Sequence, residues 1–216
     1  MDDLRQKLRT ILCAVLSAIC SAPSAQDPDT IKAPYVEPGD CWTYRAHGLQ
    51  NREPIDTYEE CVTFASKEKN VIVAVARIEG SDREIDTSYT LDWGSIVSVD
   101  GQITPGGASI FRFPMRVGDR YSIDFTYRLA VLGAWAGRSW YDIEVVGWED
   151  VTVPAGTFRA LRLEARGSTR RYDLGVTGPL RNTYWYAPKA QRWVKQEFDS
   201  KARQYRRELV KYKLNQ

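Results

Sequence analysis

The 216-residue chain contains one histidine, His47, and that scarcity removes several chemistries together. A His-based catalytic triad or metal centre would have to be organised around this side chain. No cysteine, histidine or carboxylate stands near it at ligand spacing, so His47 is read as a partly exposed strand residue. Net charge is scarce too. Thirty Lys and Arg against 28 Asp and Glu leave +2, too small a surplus for a general attraction to nucleic acid or membrane surfaces. Long apolar runs are missing. ILCAVLSAIC, Ile11–Cys20, is half the length that a helix needs to span a bilayer, and no other run comes closer. The glycine-rich GGAS at Gly106–Ser109 lacks the GK[ST] ending of a phosphate loop, and no serine sits in a G-x-S-x-G elbow. No catalytic residue, metal or cofactor is expected, and the balance is against an enzyme.

The short apolar run has another reading. Arg5, Lys7 and Arg9 precede it, and the small residues SAPSA, Ser21–Ala25, follow it. This order is that of a secretory signal, cut after Ala25. The expected organisation is a signal peptide over 1–25, an extended segment over 26–39 and one β domain over 40–216, located in the periplasm or secreted. Cys13 and Cys20 leave with the signal, so Cys41 and Cys61 form an even pair in an oxidising compartment. A turn near Asn51 places Cys41 directly opposite Cys61 and Tyr44 opposite Tyr58, which predicts a Cys41–Cys61 disulfide.

From Cys41 onward the pattern is that of strands. In RYSIDFTYRLAV, Tyr121, Ile123, Phe125, Tyr127, Leu129 and Val131 alternate with polar residues, the period of a half-buried strand. IDTSYTLDW, Ile85–Trp93, repeats it. Asp100-Gly101 marks a hairpin, Pro154-Ala155-Gly156 marks a turn, and TPGGAS, Thr104–Ser109, reads as a loop. No segment after residue 26 shows a long helical period. Short connections joining about ten strands predict a mainly β, antiparallel meander, curled into a half-barrel or barrel-like sheet. A two-sheet β-sandwich is the alternative. Asp86, Asp92, Asp124, Asp142 and Glu144 fall on the polar half of the alternation, with no reason to select a hydrolytic pair. The basic SKARQYRRELVKYKL reads as a protected edge strand.

The aromatic stretch TYWYAPKAQRWVKQEF, Thr183–Phe198, reads as a hairpin centred on Lys189. That register pairs Trp185 with Trp193 and Tyr184 with Val194. Tyr184, Tyr186, Val194 and Phe198 then face the core. Trp185 and Trp193, beside Lys195 and Glu197, face outward; their cover is either the loop Ser168–Leu180 or a partner or ligand, and as an accessible pair they form the candidate binding surface.

EDVTVPAGTFRALRLEARG (Glu149–Gly167), the aromatic stretch and RELVKY (Arg207–Tyr212) together resemble a group of exported bacterial proteins of unknown function. The resemblance covers roughly the last third of the chain. It implies a periplasmic fold of curved antiparallel strands and brings no catalytic residues. The expected function is a non-enzymatic periplasmic binding or envelope-associated module with a groove for a hydrophobic ligand. The alternative is a structural or protein-interaction module with a filled core, and a minor one is a carbohydrate-active enzyme. The expected partner is a hydrophobic ligand or an envelope protein, with no nucleic acid and no membrane span.

Overall fold

The computed structural model describes residues 30–215; the expected signal segment, 1–25, lies outside them. Twelve strands follow one another: β1 (Cys41–Gly48), β2 (Pro54–Ser66), β3 (Val71–Ile78), β4 (Glu84–Tyr89), β5 (Ser95–Val97), β6 (Gln102–Ala108), β7 (Arg120–Leu129), β8 (Trp135–Val153), β9 (Gly156–Arg171), β10 (Val176–Ala187), β11 (Arg192–Ser200) and β12 (Gln204–Lys213). Each pairs with its sequence neighbour, and β12 pairs with β1 to close a barrel. All pairs are antiparallel, as short connections require. The sheet closes on itself, so there is no sandwich.

Several registers follow from residue spacing. Cys41 stands opposite Cys61 and Tyr44 opposite Tyr58, and the cysteines form a disulfide. Val153 pairs with Gly156 around the Pro154-Ala155 turn. Two expectations are corrected. TPGGAS lies largely within β6, where Gly106 and Gly107 adopt positive φ and keep the strand irregular. The basic C-terminal stretch is not an edge. β12 pairs with both β1 and β11, and its lysines lie along a paired strand.

The closed sheet has unlike ends. Six turns gather at one end, joining β1–β2, β3–β4, β5–β6, β7–β8, β9–β10 and β11–β12. At the other end the segment between β6 and β7 folds over the opening. Phe111 and Met115 are buried there, and Met115 exchanges backbone hydrogen bonds with Ile31. The barrel is therefore plugged below and open above. Its outer wall is charged: Arg120–Glu144, Arg138–Asp124, Arg162–Glu149, Arg206–Glu197 and Lys211–Glu59 pair across its strands. Such a wall suits water, whereas a bilayer-spanning barrel presents an apolar band.

Gly167, on β9, allows the long β8–β9 hairpin to close. A β-carbon there would stand 1.8 Å from the Trp140 carbonyl oxygen. Gly167→Ala is expected to destabilise the fold by about 1–3 kcal/mol, the usual range for overpacking. Gly147→Ala, where an added β-carbon meets nothing within 4 Å, serves as the control. Urea unfolding of the two variants checks this; equal midpoints would refute the close approach.

Candidate functional site

The lumen is built upward from a buried ion pair. Glu60 on β2 and Arg192 at the start of β11 meet at 2.5 Å, with side-chain exposures of only 1% and 4%. Thr87 and Tyr89 donate their hydroxyls to the same carboxylate, at 2.5 and 2.7 Å. Four rings surround the guanidinium: Trp93 at 4.3 Å, Trp42 at 5.1 Å, Tyr89 at 5.2 Å and Tyr44 at 5.6 Å. Burial works against the charged carboxylate, but Arg192 and the hydroxyl donors outweigh it and hold the Glu60 pKa below its usual value.

The same aromatics fix the β10–β11 turn. Trp42 Nε1 donates to the Ala190 carbonyl, Trp93 Nε1 to that of Gln191 and Tyr44 OH to that of Trp193. Pro188 opens a short 3-10 turn that ends at Gln191, in the left-handed region. The turn that delivers Arg192 to the lumen is thus held from inside by three donors.

Above this floor is a cavity of about 700 Å³. Phe125, Leu129, Leu180, Phe198 and Trp193 give it an apolar wall. A polar ladder runs among them on β10 and β11: Gln196 donates to Asn182 and to the Tyr184 hydroxyl. Burial raises the pKa values of Tyr58, Tyr141 and Tyr184, so these residues line the space as neutral hydroxyls. Near the open end Asp100, on the β5–β6 turn, reaches Arg207 of β12 at 3.2 and 3.3 Å. Those strands are not sheet neighbours, so the ion pair spans the lumen.

The rim is uneven. Four of its turns are polar. The other two stand side by side, joined by the hydrogen bond from Tyr172 N to Ala136 O, and carry Val131, Leu132, Trp135, Tyr172, Leu174 and Val176 on their surface. Val131 is 90% exposed. Leu174 and Val176 also line the cavity, so this apolar lip runs into the lumen.

The two tryptophans expected to share an outer face do not pair. The turn Pro188–Gln191 has four residues and is not centred on Lys189, so Trp193 stands opposite Tyr186; Val194 is then an extra residue at a bulge, which sets Trp185 opposite Lys195 and Tyr184 opposite Gln196. Directly opposed residues share a face of the sheet. Trp193 therefore turns into the lumen with Tyr186 and stacks on Tyr44 at 3.9 Å. Trp185 is covered by its own wall: Nε1 donates to Glu149, and Lys195 Nζ lies 4.2 Å from the ring. Exposures are 7% for Trp185 and 8% for Trp193. The segment Ser168–Leu180, expected as their cover, belongs instead to β9, β10 and the turn between them. Sequence reasoning missed Glu60, Asp100, Arg192 and Arg207. Two carried a signal: Glu60 follows Tyr58 by two residues and Arg207 follows Tyr205 by two, each a charge on the apolar side of its alternation.

Among the described residues no group of three or more His, Cys, Asp or Glu side chains converges to hold a metal. No family model matches the sequence, and no curated protein does. Three solved structures are similar to this chain. One, named as a lipoprotein of Parabacteroides distasonis, is 14% identical with a TM-score of 0.58, covering 86% of this chain and 100% of its own. An exported protein with a YmcC-like fold from Bacteroides fragilis is 14% identical with a TM-score of 0.47, covering 85% and 99%. The hypothetical lipoprotein YmcC from Escherichia coli is 8% identical with a TM-score of 0.42, covering 81% and 85%. At 14% identity the likeness to the first of these is one of fold.

Proposed function

We propose that this chain is an exported, non-enzymatic envelope protein whose barrel holds the apolar chain of an amphipathic ligand. The observation that carries this reading is the lumen: about 700 Å³, open at one end, inside a barrel whose outer wall is charged. That volume lies in the range of about 300–1,000 Å³ typical of small-molecule sites. The binding residues are those of the apolar wall, so Trp193 contributes from within and Trp185 does not. The exposed lip gives a hydrocarbon chain an apolar path to the opening. Export rests on the basic, apolar and small-residue order of 1–25, on the Cys41–Cys61 disulfide and on the lipoprotein name of the Parabacteroides distasonis protein that shares the fold. In this organisation 26–39 leads into a single β domain.

The test fills the lumen. Gly178 lines the cavity, and a β-carbon there meets nothing within 4 Å, so Gly178→Trp adds an indole without a backbone clash. Delipidated wild-type protein is expected to bind dodecanol, measured by displacement of N-phenylnaphthylamine, and the variant to bind it about tenfold more weakly or worse. Circular dichroism should be unchanged. Undiminished binding by a folded Gly178→Trp protein would place the site outside the lumen.

A further inference from the structure

The upper part of the lumen carries more positive than negative charge. Arg203, Arg207 and Lys201 line it, and Asp100 is the carboxylate that the two arginines meet. Asp100 lies 3.2 Å from Arg207 and 4.0 Å from Arg203, so two guanidiniums share one acid. Both Arg207 contacts are longer than the roughly 2.7–2.9 Å of a strong charge-assisted bond. Arg171, also at the opening, is satisfied separately by Asp173. Asp56 adds negative charge at longer range but makes no ion pair with any of them among the described residues.

Arg207 is the best placed of the cations. Its side chain is 8% exposed, and its guanidinium lies 4.8 Å from the Tyr205 ring and 5.6 Å from that of Tyr58. Its Nε has no hydrogen-bond partner. A buried donor left unpaired is costly, and guanidinium edges suit carboxylate and phosphate oxygens. Arg207 pairs with Gln196; from that level Trp193 and the plug residue Phe111 line the cavity toward the floor, while Leu180, opposite Ser200, lies toward the rim.

Taking the lumen as the binding site, we infer that its ligand carries an anionic head group, carboxylate or phosphate monoester, that binds at Arg207. The hydrocarbon chain points down the barrel and the head stays below the rim. Asp100 already occupies part of Arg207, so it competes with the head.

The competition gives variants of opposite sign. Dodecanoate, monododecyl phosphate and dodecanol are compared at neutral pH by displacement of the uncharged N-phenylnaphthylamine. In the wild type at least one anion is expected to bind more tightly than the alcohol, and the tighter anion identifies the head. Arg207→Met should weaken that anion by about tenfold or more, and Asp100→Asn should strengthen it several-fold. Neither change should move the alcohol more than about twofold. Acid and alcohol binding equally, or shifting together in both variants, overturns the head-group inference and leaves the lumen as a site. Failure of all three probes to bind the wild type removes the lumen reading and the inference with it. Because one variant is expected to gain affinity, misfolding cannot reproduce the full pattern.

Discussion

Arg192→Met is expected to destabilise the barrel by about 3–5 kcal/mol, the usual result of removing one partner from a buried ion pair. The loss comes from the carboxylate left behind. Glu60 would keep the hydroxyls of Thr87 and Tyr89 but lose the only cation that meets it at the floor among the described residues. Met fills much of the space within the ring of Trp42, Tyr44, Tyr89 and Trp93, so the cavity left is small. The Glu60→Gln/Arg192→Met double variant should recover part of the loss, because no charge is then stranded. Acid gives a second measure. The Glu60 carboxyl is held below its ordinary value of 4.5, so its contribution is present above that value and disappears as pH falls through the lower folded one. Wild type should therefore lose more stability than Glu60→Gln between neutral pH and acid. Urea unfolding at both conditions checks this, and parallel losses would show that the pair does not stabilise the native state.

Removing the disulfide is the second large effect. Cys41 and Cys61 are 20 residues apart in the chain, and opening a loop of that length costs about 3 kcal/mol in the loop-entropy account. The Cys41→Ser/Cys61→Ser variant should unfold at lower urea by a corresponding amount. Dithiothreitol-reduced wild type should match it. Oxidised and reduced proteins of equal stability would mean that the β1–β2 hairpin is already closed in the unfolded ensemble.

The hairpin around Asn51 was readable because counting from its turn gives the opposition of Cys41 with Cys61 and Tyr44 with Tyr58. The Pro154-Ala155 and Asp100-Gly101 turns were readable from residue chemistry. Counting held in the first hairpin although Ile55 is an extra residue beside its turn, because the pairs beyond it remain symmetric about Asn51; elsewhere it failed. The four-residue turn and then Val194 shift the aromatic hairpin, and Val210 is likewise passed over where Thr43 faces Lys211 and Tyr44 faces Leu209. Nothing in the local composition marks these valines, because a bulge is set by the curvature that closure demands of the whole sheet. The floor of the lumen was hidden for a related reason. Glu60 and Arg192 are 132 positions apart, and only closure brings them together. Each alone reads as a charge on a strand.

Closure by β1 and β12 also sets the order in which the molecule can be assembled. Each of the eleven hairpin contacts joins neighbouring strands and can form soon after its second strand is available. The twelfth joins Cys41–Gly48 to Gln204–Lys213, nearly the full length of the domain. Until it forms, β1 and the last strand laid down are raw sheet edges with unpaired backbone groups, open to any other extended chain. Contacts of such long sequence separation are slow to make. The ten residues of β12 therefore act as a seam: the nascent barrel is sticky along two lines until β12 arrives and removes both at once.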